Sequence, residues 1–330
     1  KDNTHSNEKL YVYNWGEYID LSLIKKFEKE TGKQVVYETF DSNEAMEAKI
    51  RNGGTHYEVA FPSEYTVQKL KKAKLLETLN HDKIPNIRNL DNDYMNLSYD
   101  PNNRYSIPYF FGTVGILYDK EKYPNETFDS WDDLYHSQFK NDILLVDGAR
   151  EIIGMGLNKL GYSLNDKNPT HIHQAEKDLH NLAPQVRGIV GDEITMMLQQ
   201  NEGHVAVVWS GVAAPLVQEN TRYNYVIPKE GSNLWFDNMV IPKTAQNKEG
   251  AYKFMNFLLD AQNSAQNTEW VGYATPNKAA RSKLPKKVRN DYRFYPSNQE
   301  QQRLEVYKDL GQTSLSDYNE SFLNFKMSLK

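Results

Sequence analysis

Residues 10–61 read LYVYNWGEYIDLSLIKKFEKETGKQVVYETFDSNEAMEAKIRNGGTHYEVAF, and this stretch decides the fold. Leu10-Tyr11-Val12-Tyr13 is a short apolar and aromatic run, the pattern of a strand. Asp20 or Ser22 can cap the helix that follows. Its apolar positions Leu21, Ile24 and Phe27 recur at three-residue spacing, and Gly32 sits where a helix-ending glycine belongs. Val35-Val36-Tyr37 gives a second strand. A second helix, about 44–51, ends at Gly53-Gly54, and Tyr57-Glu58-Val59-Ala60-Phe61 gives a third strand. Ser63 then opens a helix through Leu70. Strand, helix, strand, helix, strand at this spacing is an α/β pattern with a mostly parallel sheet.

Working outward, the rhythm resumes with strands near 106–111, 114–118, 143–146, 204–209, 223–227 and 235–241. Helices fill 149–161, 171–182, 193–201 and 211–219. After Pro242 the chain turns mostly helical, over 248–259, 260–270, 298–310 and 314–327. At roughly 150 residues per domain, 330 residues suggest two domains. No Gly/Ser-rich linker separates two halves, so the chain is expected to cross on ordered segments. Pro108-Tyr109-Phe110-Phe111-Gly112 and Trp235-Phe236-Asp237 are the candidates. The expected architecture is two α/β lobes with a cleft between them.

Composition excludes several classes. Thirty-nine Lys+Arg stand against 44 Asp+Glu, a formal charge of -5, which repels phosphate backbones and argues against nucleic acid as a partner. There is no cysteine, hence no disulfide staple, thiolate metal site or cysteine nucleophile. No run reaches the 18 or so apolar residues of a membrane span. The sequence starts at Lys1 with a polar stretch to Glu8, which reads as a processed start with a leader or anchor removed; an arbitrary boundary reads equally well. Enzyme signatures are thin. Gly154-Met155-Gly156 is followed by Gly161, the wrong interval for a dinucleotide loop, and no P-loop, H-E-x-x-H or G-x-S-x-G occurs. His171 and His173 form an H-x-H pair, but their place at a charged helix start suits solvent-exposed histidines better than metal ligands.

The aromatic inventory carries the positive signal, with 22 Tyr, 13 Phe and 5 Trp. Trp15-Gly16-Glu17-Tyr18 follows the first strand, at the carboxyl end where open α/β sheets bind ligands, and Ser63-Glu64-Tyr65 follows the third. Asp147-Gly148-Ala149-Arg150-Glu151 and Trp209-Ser210-Gly211 end two further strands. In Trp235-Phe236-Asp237 the two-residue spacing puts Trp235 and Asp237 on one face of an extended segment. Rings beside ionised carboxylates suit an organic cation, at about 0.5–2 kcal/mol per ring contact. An ammonium offers three donors and no acceptor, so carboxylates are its natural partners. A sugar site would use the same residue types, so composition leaves amine and sugar both open.

At these residues the chain resembles the spermidine/putrescine-binding proteins, the substrate-binding subunits of polyamine ABC importers. The markers are Tyr13-Asn14-Trp15-Gly16-Glu17-Tyr18, Tyr105-Ser106-Ile107-Pro108-Tyr109, Ala149-Arg150-Glu151, Trp209-Ser210-Gly211, Pro228-Lys229-Glu230-Gly231 and Gly272-Tyr273-Ala274-Thr275-Pro276-Asn277. Each is short; their order and spacing together are specific, and the resemblance runs from about Lys9 to the C-terminus.

The resemblance implies a two-lobed type II periplasmic-binding-protein fold, an α/β architecture with the ligand cleft between hinged lobes. One lobe would take 7–111 and 238–287, the other 112–237 and 288–330. Trp15 and Tyr18 would flank the polyamine, with Glu17 near an amine and Ser63 and Tyr65 lining one wall. Glu151 would meet an amine from the second lobe. Trp209 and Trp235 would sandwich the methylene chain, Asp237 would anchor an ammonium, and Tyr273 would close the remaining side. The protein would work outside the cytoplasm, in a periplasm or as a lipoprotein, as a monomer that delivers spermidine, putrescine or spermine to a membrane permease. It would perform no chemistry and need neither metal nor cofactor.

Three positions depart from the family pattern. Gly16 stands where a Thr is common. Gly148 stands where a second Asp would precede Ala149-Arg150-Glu151, with Asp147 expected to point elsewhere. Tyr307 stands in place of an amide side chain. Arg150, which would repel a cation, is expected to orient Glu151 or a neighbouring acid, or simply to lie on the helix surface. Two rivals accompany this reading: a carbohydrate-binding protein of the same fold, and a glycoside hydrolase using Glu151 and Asp237.

Overall fold

The computed structural model describes residues 9–329. The polar stretch 1–8, with the first two residues of the expected first lobe, lies outside the described residues. From Lys9 the chain runs through β1 (Lys9–Trp15), α1 (Leu21–Thr31), β2 (Gln34–Phe40), α2 (Asn43–Asn52), β3 (Val59–Ala60) and α3 (Glu64–Lys72). Short 3-10 turns lead to β4 (Ile107–Gly112). Then come β5 (Val114–Asp119), β6 (Ile143–Val146), α4 (Ala149–Lys159), α5 (Pro169–Leu179), β7 (Val186–Val190) and α6 (Ile194–Gln199). β8 (Val205–Trp209), α7 (Ser210–Glu219), β9 (Tyr223–Val226), β10 (Ser232–Asn233) and β11 (Trp235–Met239) follow. α8 (Lys248–Leu259), α9 (Ala261–Val271), β12 (Leu304–Glu305) and α10 (Gly311–Met327) complete the main elements.

These elements gather into two units. One holds the residues up to Phe111 and Trp235–Asn290; the other holds Gly112–Leu234 and the residues from Asp291 onward. The boundaries at 234/235 and 290/291 stand three residues from those expected at 237/238 and 287/288. Trp235–Asp237 belong with the first unit for a physical reason. The Phe236 amide donates to the buried Glu64 carboxylate at 2.6 Å, and Asp237 bridges to Ser63.

In the first unit β1 lies between β2 and β3, parallel to both, in a register running from Lys9 opposite Gln34 to Trp15 opposite Phe40. The caps of α1 are the expected ones: the Asp20 carboxylate accepts from the Ser22 amide, and Gly32 takes φ 72°. Its buried stripe is Leu23, Ile24 and Phe27, whereas Leu21, expected to join it, is 56% exposed in the first turn. Phe27 meets Phe254 and Phe257 of α8 edge-on, with centroids 5.1 and 5.3 Å apart. A buried ring of this kind contributes about 1.5–3 kcal/mol.

The second unit is built on a five-stranded mixed sheet, order β7-β6-β8-β5-β9. β6 runs parallel to β7 and β8, while β5 runs antiparallel to β8 and β9. β7 has no counterpart among the expected strands. Its sequence, Val-Arg-Gly-Ile-Val, is broken by a charge and a glycine, as an edge strand tolerates. The helix expected over 298–310 is a correction: only Asn298–Gln301 is helical. Leu304 and Glu305 instead pair in parallel with Ser232 and Asn233. The Glu305 carboxylate accepts from the Ser163 hydroxyl and, at 3.0 Å, from the Leu164 amide, and these bonds favour the extended chain. Tyr318, Phe322 and Phe325 of α10 share one core with Ile152, Ile153 and Leu179.

Candidate functional site

At the end of β3 the chain turns through Pro62 into α3. Ala60 is bridged to Val240 and Ser63 to Asp237, both antiparallel, so β11 sets its central carboxylate opposite the start of α3. Ser63 Oγ donates to Asp237 Oδ1 at 2.8 Å, and Tyr18 OH donates to Oδ2 at 2.6 Å. Asn43, in the first turn of α2, holds this arrangement from behind. Its Oδ1 accepts from the Ser63 amide at 3.1 Å, and its Nδ2 donates to Ser63 Oγ at 3.1 Å and to Tyr65 OH at 2.7 Å. Asn43 escaped sequence reading because an Asn at a helix start reads as a cap; here Ser42 caps the helix.

Asp237 is 8% exposed. Burial pushes its pKa from 3.8 up to about 6, while the Tyr18 and Ser63 hydroxyls pull the other way. At neutral pH it is a buried anion with one hydroxyl on each oxygen, and each oxygen keeps acceptor capacity. Burial, and then the Asp237 charge, drive the Tyr18 phenol well above its ordinary range, so it remains a donor.

Through Tyr18 this carboxylate adjoins a chain of rings. Trp235 is buried and meets Tyr273 edge-on at 5.0 Å, and Tyr273 in turn meets Tyr18 at 5.9 Å. Trp235 and Asp237, two apart on β11, thus join one group with Tyr18, Ser63, Tyr65 and Tyr273. Trp15 is half-buried; its indole N–H donates to the Phe61 carbonyl at 2.8 Å and its ring packs on Phe40 at 4.6 Å. Glu17 is exposed in the turn between Trp15 and Tyr18, at φ 52°. Among the described residues no hydrogen bond or ion pair restrains its carboxylate.

Glu151 and Trp209 belong to the second unit. Trp209 is the last residue of β8 and is half-buried against the core. Glu151 lies in the first turn of α4, where Gly148, the N-cap, offers no capping side chain. A Cβ on Gly148 would stand 2.3 Å from Glu151 Oε1, so the carboxylate occupies the space that a side chain at 148 would take. Tyr307, 4% exposed, donates its hydroxyl to Glu151 Oε2 at 3.2 Å. Asp147 turns away to pair with Lys326 at 3.0 Å.

Arg150 corrects the reading of a free helix-surface residue, and it bonds no acid directly. Its guanidinium donates to Asn165 Oδ1 (2.7 Å), the Lys308 carbonyl (3.1 Å) and the Leu164 carbonyl (3.4 Å). It also lies over the rings of Tyr307 at 4.4 Å and Tyr318 at 5.2 Å. Its influence on Glu151 therefore passes through Tyr307, which it packs in place. Of the H-x-H pair, His173 is exposed and His171 pairs with Asp166 at 2.7 Å. Among the described residues no group of three or more His, Cys, Asp or Glu could hold a metal ion.

Comparison with known proteins follows the same lines. The family model described as "Bacterial extracellular solute-binding protein" matches residues 22–294. The spermidine/putrescine-binding periplasmic protein of Salmonella typhimurium is 39% identical over 321 residues, covering 97% of this chain and 92% of the relative. Among solved structures, an ABC transporter protein from Listeria monocytogenes, provisionally assigned to spermidine/putrescine, is 56% identical with a TM-score of 0.90. That match covers 97% of this chain and 99% of the other. The spermidine/putrescine ABC transporter substrate-binding protein of Streptococcus pneumoniae is 47% identical with a TM-score of 0.89, covering 98% and 100%.

Proposed function

The chain belongs to the bacterial extracellular solute-binding proteins, and from that premise we propose that it captures a polyamine outside the cytoplasm and delivers it to an ABC permease. The observation that carries the reading is Asp237: a buried carboxylate held by the Tyr18 and Ser63 hydroxyls, with the Tyr18 ring joined edge-on to Tyr273 and through it to Trp235. An isolated buried anion is costly unless a cation meets it, and an ammonium against these rings gains both a charge-assisted bond and cation–π attraction. The relatives described above carry polyamine names, and none is named for a sugar.

Asp237 takes one ammonium. Trp15, Tyr18, Trp235 and Tyr273 lie against the methylene chain, Ser63 and Tyr65 complete the wall, and Glu17 adds negative charge at the rim. From the second unit, Glu151 takes another amine and Trp209 a further stretch of chain. The protein acts as a monomer, without nucleic acid, metal or organic cofactor, and leaves its ligand chemically unchanged. No helix among the described residues is long and apolar enough to cross a membrane. An extracytoplasmic place, free or lipid-anchored, agrees with relatives named periplasmic.

Calorimetric titration with putrescine, spermidine, spermine and a neutral oligosaccharide tests this directly. At least one polyamine should bind, and binding should weaken steadily as salt rises from low ionic strength, because screening acts on the ammonium–carboxylate attraction. Heat from the oligosaccharide and none from any polyamine would reverse the assignment.

Glu151 gives a second expectation. In Gly148→Ala the new methyl must push the Glu151 carboxylate from its seat and from Tyr307. Polyamine affinity should fall about 3- to 10-fold, the worth of one ordinary hydrogen bond. Unchanged affinity would show that Glu151 reaches the ligand from some other position.

A further inference from the structure

We propose that the Tyr109 hydroxyl and its partner Asn267 fix the turn that carries Trp15, Glu17 and Tyr18, and so act as positioning residues for the ligand site. The inference rests on the polyamine reading for its ligand but not for its geometry. Tyr109 lies on β4 and Asn267 on α9, and both are buried, at 6% and 2% exposure. Sequence reading places Tyr109 in a crossing segment and a family marker but gives neither residue a part in the site, since a Tyr in an aromatic strand and an Asn within a helix are ordinary there.

The phenol works in both directions. It accepts from Asn267 Nδ2 at 2.8 Å and donates to the Tyr18 carbonyl at 2.5 Å. The other side of the same amide, Asn267 Oδ1, accepts from the Asp20 backbone N–H at 2.9 Å. One phenol–amide pair therefore grips the turn on both sides of Ile19. Further back, the Tyr37 hydroxyl reaches the Trp15 carbonyl at 3.4 Å. Between these holds lie Gly16 and Glu17, both exposed, with Glu17 in the left-handed region that residues with side chains seldom adopt.

Tyr18 explains why the grip matters. Its carbonyl is held by Tyr109, while its own hydroxyl donates to Asp237. Any shift of the Tyr18 backbone moves that hydroxyl off the carboxylate. Burial keeps the Tyr109 phenol protonated by raising its pKa well above 10, so the donor to Tyr18 persists across ordinary pH. The ring is located independently by edge contacts to Phe61 (4.7 Å), Phe110 (4.4 Å) and Tyr18 (5.4 Å). Removing only the hydroxyl therefore isolates its role.

If the turn leaves its competent position for part of the time, apparent affinity falls by that fraction for every ligand alike. Tyr109→Phe should weaken putrescine, spermidine and spermine by one common factor, about 3- to 10-fold. Amide hydrogen exchange should rise at residues 17–20 and stay unchanged in β1 and β2. Asn267→Ala should behave the same way. The double variant should be less than additive, because both residues serve one network. Unchanged exchange at 17–20, a ligand-dependent affinity change, or exchange rising equally through β1 and β2 would each overturn the proposal. Should the wild type bind none of the three polyamines, the functional reading fails, and the exchange measurement still decides the positioning role.

Discussion

Asp237→Asn should abolish polyamine binding on any practical scale, weakening it by about 100-fold or more. Removing one partner of a buried ion pair typically costs 3–5 kcal/mol, and each 1.4 kcal/mol is tenfold in affinity. The substitution keeps shape and volume, so the loss reports charge and hydrogen bonding. It also turns a donor toward one of two hydroxyls that now both donate, since Tyr18 and Ser63 each point at a different carboxylate oxygen. Calorimetry on the variant decides the matter. A loss smaller than about tenfold would mean that the main ammonium contact lies elsewhere.

The second large effect runs in the opposite direction, on stability. The Asp237 pKa stands near 6 in the folded, ligand-free protein, against 3.8 for an ordinary Asp. Between those values the folded state holds more protons than the unfolded one. The contribution is thus fully present below pH 3.8 and is lost as pH rises through 6. Above pH 6 the ligand-free protein carries the charged, desolvated carboxylate at a cost of order 3 kcal/mol. Asp237→Asn should therefore melt several degrees higher than wild type at pH 8 without ligand, and the gap should close toward pH 4. Polyamine affinity of the wild type should fall about tenfold per pH unit below 6, with protons released on binding near that pH. Equal melting of wild type and variant at pH 8 would show that the carboxylate is better solvated than its burial implies.

These two expectations describe one trade. The group that costs stability in the empty protein is the group that the ligand's charge satisfies, a pattern common where sites are built for binding rather than for rigidity.

Much of this was legible in the sequence because its signals are local. Asp20 and Gly32 mark the ends of α1, and the unbroken apolar run Ile143–Val146 marks a buried strand. The two-residue spacing of Trp235 and Asp237 put both on a single face. What stayed hidden depends on distant partners. Leu304-Glu305 carries no strand signal of its own, and its pairing is set by Ser232-Asn233 and by donors at 163–164. Arg150 looked like an orienting charge because the carbonyls it binds lie 14 and 158 residues away. Asn43, Tyr109 and Asn267 are likewise defined only by what the fold brings to them.

The interleaving of the two units bears on how the protein is made. Phe27 packs on Phe254 and Phe257, so the core of the first unit waits for residues synthesised more than two hundred positions later. The core of the second unit needs Tyr318, Phe322 and Phe325, from α10. A nascent polypeptide on the ribosome therefore cannot finish one unit before beginning the next. The first two hundred residues leave the exit tunnel with apolar faces uncovered, and both cores are sealed only after Phe254, Phe257 and Phe325 have emerged.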